Sequence, residues 1–174
     1  MDKRNTTRYV VGVLVSNEPG VLSRVSGLFS RRGFNIESLA VGPTQDQSIS
    51  RITIVVLGND SSIEQLVQQL YKLLCVRKVR VFEPGKTVVR QLIMVKVLAP
   101  EEKREGILRL ADIFKAKVVD VTREKITLQL TGDVDRVQAF LDLLGDYGIE
   151  ELVRTGVVAL ERGNGIMNTE LFDE

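Results

Sequence analysis

Two apolar runs with strand character, Tyr9 to Val15 and Val88 to Leu98, each pass through a proline-bearing turn into a segment of helical period, and the same succession of elements follows both. In the first half the apolar residues after the turn fall at Val21, Leu22, Val25, Leu28 and Phe29, one face of a helix. Arg31-Arg32-Gly33 stops it, with cations on the negative end of the helix dipole and then a glycine free to take the left-handed cap conformation. Asn35 to Val41 reads as a strand, Gly42 to Ser48 as a loop, and Ser50 to Leu57 as a strand in which Ile52, Ile54 and Val56 alternate with Arg51, Thr53 and Val55. Ser61 and Glu64 have capping-box spacing and predict a helix whose apolar face is Ile63, Leu66, Val67, Leu70 and Leu74. Val76 to Phe82 closes the set as a strand, and Glu83-Pro84-Gly85-Lys86 breaks the pattern.

In the second half Pro100-Glu101-Glu102 is an acidic helix start, with Ile107, Leu110, Ala111 and Phe114 as the buried face. Val118 to Val121 and Ile126 to Leu130 form a hairpin around Arg123-Glu124-Lys125, Asp133 precedes a helix carrying Val134, Val137, Leu141 and Leu144, and Ile149 to Val153 with Val157 to Leu160 supplies the last strand. The predicted class is therefore α+β, two ferredoxin-like βαββαβ domains in tandem, each with two helices on one face of a four-stranded antiparallel sheet. The expected boundaries are a first domain over residues 1–82, a linker over 83–87, a second domain over 88–162 and a flexible tail over 163–174. Domains of about 80 residues have marginal cores, and a sheet covered on one face leaves free edges, so association of chains is expected.

The join after the first strand, Asn17-Glu18-Pro19-Gly20-Val21-Leu22-Ser23-Arg24-Val25, is the stretch richest in chemistry. Pro19 suits a first helical turn, where its missing N–H would have been unpaired, and Gly20 has no Cβ to hold a visitor away from the backbone. The free N–H groups of that turn, at the positive end of the helix dipole, can hold a carboxylate without any lysine or arginine. Read by spacing alone, Asn17 and Asn35 are equally local backbone caps, and Gly20 a turn requirement.

Other chemistries find no support. Lys and Arg number 24 against 23 Asp and Glu, a net charge of +1, which argues against holding nucleic acid or an acidic membrane by bulk electrostatics. The strand from Ser50 to Leu57 has no aromatic ring for base stacking. Cys75 has no histidine in the chain to activate it and reads as a buried small hydrophobe, and the same absence argues against a transition-metal site. Glu101, Glu102, Glu105 and Asp112 read as a solvated helix face, and Gly163-Asn164-Gly165 lacks the following helix of a dinucleotide fingerprint. A lone cysteine suits a reducing, cytoplasmic setting, Met1 to Arg4 leads into a strand with no cleavage pattern, and no stretch reaches the ~18 apolar residues of a membrane span.

The run from Asn17 to Val25, then Gly27-Leu28-Phe29-Ser30, Arg32 to Leu39 and Ser50-Arg51-Ile52-Thr53-Ile54, closely resembles the N-terminal ACT domain of acetohydroxyacid synthase (acetolactate synthase) small subunits. Ile93 to Val97, Val119-Asp120-Val121-Thr122 and Arg154 to Gly163 resemble that family's C-terminal domain, so the resemblance covers nearly the whole chain. It implies a non-catalytic partner that binds and activates the catalytic large subunit and confers feedback inhibition by valine or another branched-chain amino acid. Thiamine diphosphate, magnesium and FAD are then expected in the large subunit and no cofactor in this chain. Plant-type members resemble two such units behind a transit peptide, so a single unit without that leader implies the bacterial type.

A branched-chain effector needs carboxylate donors, ammonium acceptors and an apolar wall. Backbone N–H groups around Gly20, Val21 and Leu22 can supply the first, and side-chain carbonyls of Asn17 and Asn35, or nearby main-chain carbonyls, the second. Val21, Leu22 and Ile36 are candidates for the third. The resemblance implies a homodimer in which the second chain completes the site, with Asn17, Gly20 and Asn35 its leading residues. The alternative is a stand-alone ACT-type amino-acid sensor acting on a different enzyme or regulator, but no helix-turn-helix or other output module is visible.

Overall fold

The computed structural model describes residues 7–167, so the leading Met1 to Arg4 and the tail from residue 168 lie outside the described residues. The chain divides into two units, the first made of the chain up to Val88 and again from Val157, the second of Val89–Gly156. The sequence reading runs the second domain to residue 162, and here the segment from Val157 groups with the first unit, the Val157 N–H donating to Ser38 Oγ at 2.8 Å and Arg51 Nη2 to the Ala159 carbonyl at 2.6 Å.

The first unit runs β1 (Thr7–Ser16), α1 (Val21–Arg31), β2 (Ile36–Pro43), β3 (Ile49–Gly58), α2 (Asp60–Leu70) and β4 (Val76–Phe82), with sheet order β2-β3-β1-β4 and every pairing antiparallel. The β1–β3 register sets Val11 opposite Ile54 and Val13 opposite Ile52, so the period-two alternation delivers Val11, Val13, Val15, Ile52, Ile54 and Val56 to one face. Val25, Leu28 and Phe29 of α1 and Ile63, Leu66 and Leu70 of α2 close over that face. Each such side chain, fully buried, contributes about 1.5–3 kcal/mol.

Three details depart from the expected pattern. The capping box of α2 is Asn59 with Ser62, not Ser61 with Glu64: Asn59 Oδ1 accepts from the Ser62 N–H at 2.9 Å, and the Asn59 N–H donates to Ser62 Oγ at 3.0 Å. Leu74 is 99% exposed, because α2 stops at Leu70 and Cys75 takes the inward position in the turn that follows. Leu22, at the expected apolar face of α1, is 42% exposed.

The second unit runs through β5 (Thr87–Leu98), α3 (Glu101–Phe114), β6 (Lys117–Val121), β7 (Lys125–Gly132), α4 (Val134–Gly145) and β8 (Ile149–Arg154), in the order β6-β7-β5-β8. Ile93, Val95, Val97, Ile126, Leu128 and Leu130 face Ile107, Ala111, Val137, Phe140, Leu141 and Leu144 of the helices. This is the same topology with its own core. A last short strand, β9 (Val158–Glu161), pairs with β5.

Candidate functional site

The six candidate residues part into two groups at opposite ends of the first sheet. Asn17, Gly20, Val21 and Leu22 lie where β1 ends and α1 begins, whereas Asn35 and Ile36 lie where α1 has run back and β2 begins. Tyr9, near the start of β1, pairs with Val56, and Val56 pairs with Ile36. Asn17 stands eight residues beyond Tyr9. At ~3.4 Å per residue that separates the groups by about 27 Å, so one chain does not bring them together.

At the Asn17 end, Gly20 caps α1 with φ 82° and ψ −6°, the left-handed region that glycine alone enters freely. No side chain caps this helix. By contrast α2 has its Asn59 box, and Asp133 accepts from the Arg136 N–H of α4 at 2.9 Å. The first regular bond of α1 is Arg24 N–H to the Gly20 carbonyl, 3.1 Å, preceded by a long contact of Val21 N–H with the Glu18 carbonyl, 3.4 Å. Among the described residues nothing accepts from the N–H groups of Gly20, Leu22 or Ser23. A row of unpaired donors at a positive helix end can hold a carboxylate.

Asn17 stands beside that row with its amide fixed. Its backbone N–H donates to the Ser48 carbonyl at 2.7 Å and its Nδ2 to the Gln47 carbonyl at 2.8 Å, which leaves Oδ1 to accept from a cation. The 44–48 loop that supplies those carbonyls is tied by Asp46, whose carboxylate accepts from the Ser48 N–H at 2.8 Å and hydroxyl at 2.7 Å. Those two bonds hold the Asp46 pKa below its ordinary value. On the other side, Ser16 N–H donates to the Cys75 carbonyl at 2.9 Å, and Arg77 Nη2 donates to Ser16 Oγ at 3.1 Å, placing a positive charge next to the turn.

Leu22 is available as an apolar wall, while the Val21 side chain lies in the core and leaves only its backbone to a ligand. Asn35 is exposed and Ile36 half-buried. Near them Arg8 pairs with Glu37 at 2.7 Å, and the Tyr9 hydroxyl donates to Asp60 Oδ1 at 2.5 Å, which raises the phenol pKa. Two surface grooves, of about 620 Å³ beside Arg32, Phe34 and Gln69 and about 360 Å³ beside Tyr9, Asp60 and Val67, touch none of the six residues. Both are lined mainly by residues of α2.

Sequence reasoning missed Asp46, Gln47 and Arg77. The Thr44-Gln45-Asp46-Gln47-Ser48 composition signals a side-chain-tied turn, but its meeting with Asn17 comes through sheet register, and that of Arg77 through the β1–β4 pair. Cys75 is buried, as expected of a small hydrophobe. Among the described residues no cluster of three His, Cys, Asp or Glu is placed to hold a metal, and no helix is long and apolar enough to cross a membrane.

The chain matches two family profiles, an AHAS small subunit-like ACT domain over residues 11–78 and the small subunit of acetolactate synthase over residues 90–163. It is 52% identical to a probable acetolactate synthase small subunit of Archaeoglobus fulgidus over 90% of this chain and 98% of that one. Identity to the acetolactate synthase isozyme 3 small subunit of Salmonella typhimurium is 45%, over 92% of this chain and 99% of the relative. The crystal structure of the acetolactate synthase small subunit from Thermotoga maritima superposes with a TM-score of 0.84 at 42% identity, over 91% of this chain and 99% of that one. Two ferredoxin-like units, the first an ACT domain with an open, glycine-capped helix start, thus coincide with matches over most of the sequence: the chain belongs to the family of acetolactate synthase small subunits.

Proposed function

We propose that this chain is the regulatory, non-catalytic subunit of a cytoplasmic acetolactate synthase, which activates the large subunit and makes it sensitive to valine or another branched-chain amino acid. The observation that carries this reading is the unpaired N–H row at Gly20, Leu22 and Ser23, beside an Asn17 amide whose donor side is already committed. The row takes the effector carboxylate, Asn17 Oδ1 takes its ammonium, and Leu22 lines its branched tail. Thiamine diphosphate, magnesium and FAD belong in this reading to the large subunit.

The remaining candidates come from a second copy. β2 is an edge of the sheet, and antiparallel pairing with the β2 of a second chain sets Ile36 of one against Pro43 of the other. Asn35 of the second copy then stands against the 44–48 loop that holds Asn17. The separation of about 27 Å within one chain falls to about three strand spacings, or about 14 Å, between two. The test is reconstitution with the large subunit, assaying acetolactate with and without valine, leucine and isoleucine. Activation by the chain and inhibition by at least one of them is expected; purified chain that turns over pyruvate alone, or a reconstituted enzyme indifferent to all three, overturns the reading.

A further inference from the structure

We propose that residues 157–167 form a releasable strap across the outer face of the first unit's sheet, and that its latch, Arg51 on β3, couples the effector turn to the second half of the chain. The outer face is the one away from α1 and α2, and it is buried all the same: Leu14 is 2% exposed, and Thr53, Val55 and Phe82 are buried beside it. The strap covers it. Val157 and Ala159 point inward, while Val158 and Leu160 point out. At Gly12 an added Cβ would stand 2.8 Å from the Phe82 ring and 3.2 Å from Met167 Sδ, so the missing side chain is what admits both.

Beside the pairing of β9 with β5 and the bond from Arg162 N–H to the Lys86 carbonyl at 2.8 Å, three polar latches hold the strap to the first sheet, one on each of three strands. Val157 N–H donates to Ser38 Oγ on β2 at 2.8 Å, Arg51 Nη2 on β3 donates to the Ala159 carbonyl at 2.6 Å, and Arg80 Nη1 on β4 donates to Glu161 Oε1 at 2.9 Å. β2 and β4 are the two edges, three strand spacings apart or about 14 Å, the same reach as four extended residues. The strap therefore splints the sheet from edge to edge. The Arg51 latch is imperfect. Its guanidinium sits 5.3 Å from the centre of the Phe82 ring, yet Nε is buried with no partner among the described residues. Desolvation pushes the guanidinium pKa down, with Glu161 opposing. A latch that leaves a donor buried and unpaired is released more readily than one with every group satisfied.

Position supplies the coupling. Arg51 pairs with Leu14 and its neighbour Ser50 with Val15, two residues short of Asn17, and Ser38 lies two residues after Ile36. A shift of β2 against β1 on filling the effector turn is thus felt at the strap. At the strap's start Gly156 takes φ 82°, and the preceding Thr155 is pinned within the second unit, its N–H to the Leu92 carbonyl at 3.0 Å and its hydroxyl accepting from the Leu92 N–H at 3.1 Å. The Gly156 joint and the pairing of β9 with β5 link the two attachments.

This inference rests on the effector reading above, and its test separates the two. The full chain is compared with Arg51→Met in complex with the large subunit; methionine keeps an apolar stem over Phe82 and removes every donor. The valine Kd by calorimetry is expected to change by less than about threefold, while the fold-inhibition by saturating valine falls about tenfold. Valine is expected to slow amide exchange across residues 157–162 in the wild type and not in the variant. Should Arg51→Met fold poorly, Glu161→Gln weakens the strap from its own side and is expected to cut inhibition about threefold at unchanged Kd. Full inhibition in both variants, or exchange in the wild-type strap that ignores valine, overturns the coupling and leaves the effector reading standing. No binding of valine, leucine or isoleucine to the wild type overturns both.

Discussion

The two halves solve the strand-to-helix turn differently. In the first, Ser16 N–H reaches the Cys75 carbonyl and Asn17 N–H the Ser48 carbonyl; in the second, Leu98 N–H reaches the Gly148 carbonyl and Ala99 N–H the Glu124 carbonyl. Those bonds align Asn17 with Ala99. From there the first half takes Glu18, Pro19 and Gly20 before its helix starts, and the second only Pro100. The two extra residues, one of them at positive φ, lengthen the first turn; the Glu101 and Glu102 N–H groups of α3 also find no acceptor among the described residues, but Ala99, in the place of Asn17, is fully buried and brings no side-chain carbonyl beside them. The outer faces diverge too. Met94, which occupies in β5 the place of Gly12 in β1, is 42% exposed and has polar Gln129 opposite, whereas the face around Gly12 is sealed by the strap. One topology carries two surfaces: the half with the longer turn is the one whose sheet is buried on both sides.

The largest effects test whether the cores are separate. Phe29→Ala and Phe140→Ala each remove a fully buried ring and are expected to cost about 3–5 kcal/mol. Amide exchange should rise throughout the mutated unit and stay low in the strands of the other. Uniform loosening of both by either substitution would show that the halves share their stability.

Gly20→Asp comes next. An added Cβ there has nothing within 4 Å, but an aspartate is strained at φ 82° and sets a negative charge where the proposed effector carboxylate would sit. Losing two charge-assisted bonds of about 1.5 kcal/mol each weakens valine binding about 100-fold. Pro100→Gly at the corresponding turn should leave valine binding unchanged. Calorimetry on both variants decides it: unaltered affinity in Gly20→Asp, or a loss in Pro100→Gly, breaks the contrast between the turns.

Smaller still are the caps. Asn59→Ala and Asp133→Ala each remove a side-chain acceptor from a helix start and should lower stability by about 1 kcal/mol in denaturant unfolding. The starts of α1 and α3 have no such side chain to lose.

How much of this was legible follows from how local each signal is. Helix faces and strand alternation are properties of neighbouring residues, so the order of elements was readable, and the Gly20 turn with it. Ser61 lost to Asn59 because both stand three residues before a partner able to reach back, and spacing does not choose between them. Leu74 continued the helical period on paper, yet the chain had left the helix at Leu70. The strap is the clearest case. Tyr9 to Val15 is apolar without alternation, the mark of a strand buried on both faces, but its cover begins at residue 157 and no local pattern names it. The separation of Asn35 from Asn17 likewise lives in strand register.

The finest contrast concerns the loops that close the turns. Residues 44–48 are ordered by a carboxylate, Asp46, while the 122–125 turn of the second half is ordered by the Thr122 hydroxyl, which accepts from the Lys125 N–H at 3.0 Å. Glu150 grips the Lys125 ammonium there and not the backbone. The folded pKa of Asp46 lies below its ordinary 3.8, so the order it confers is complete above that value and is lost as pH falls through the lower one. The Ser48 amide resonance should therefore hold steady down to about pH 4 and move only below it, whereas the Lys125 amide should not follow the same curve. Asp46→Asn should weaken valine binding about two- to threefold at neutral pH, through looser carbonyls at Gln47 and Ser48. A Ser48 amide that titrates at the ordinary aspartate midpoint would mean that Asp46 does not tie the loop, and the rigidity of Asn17 would need another source.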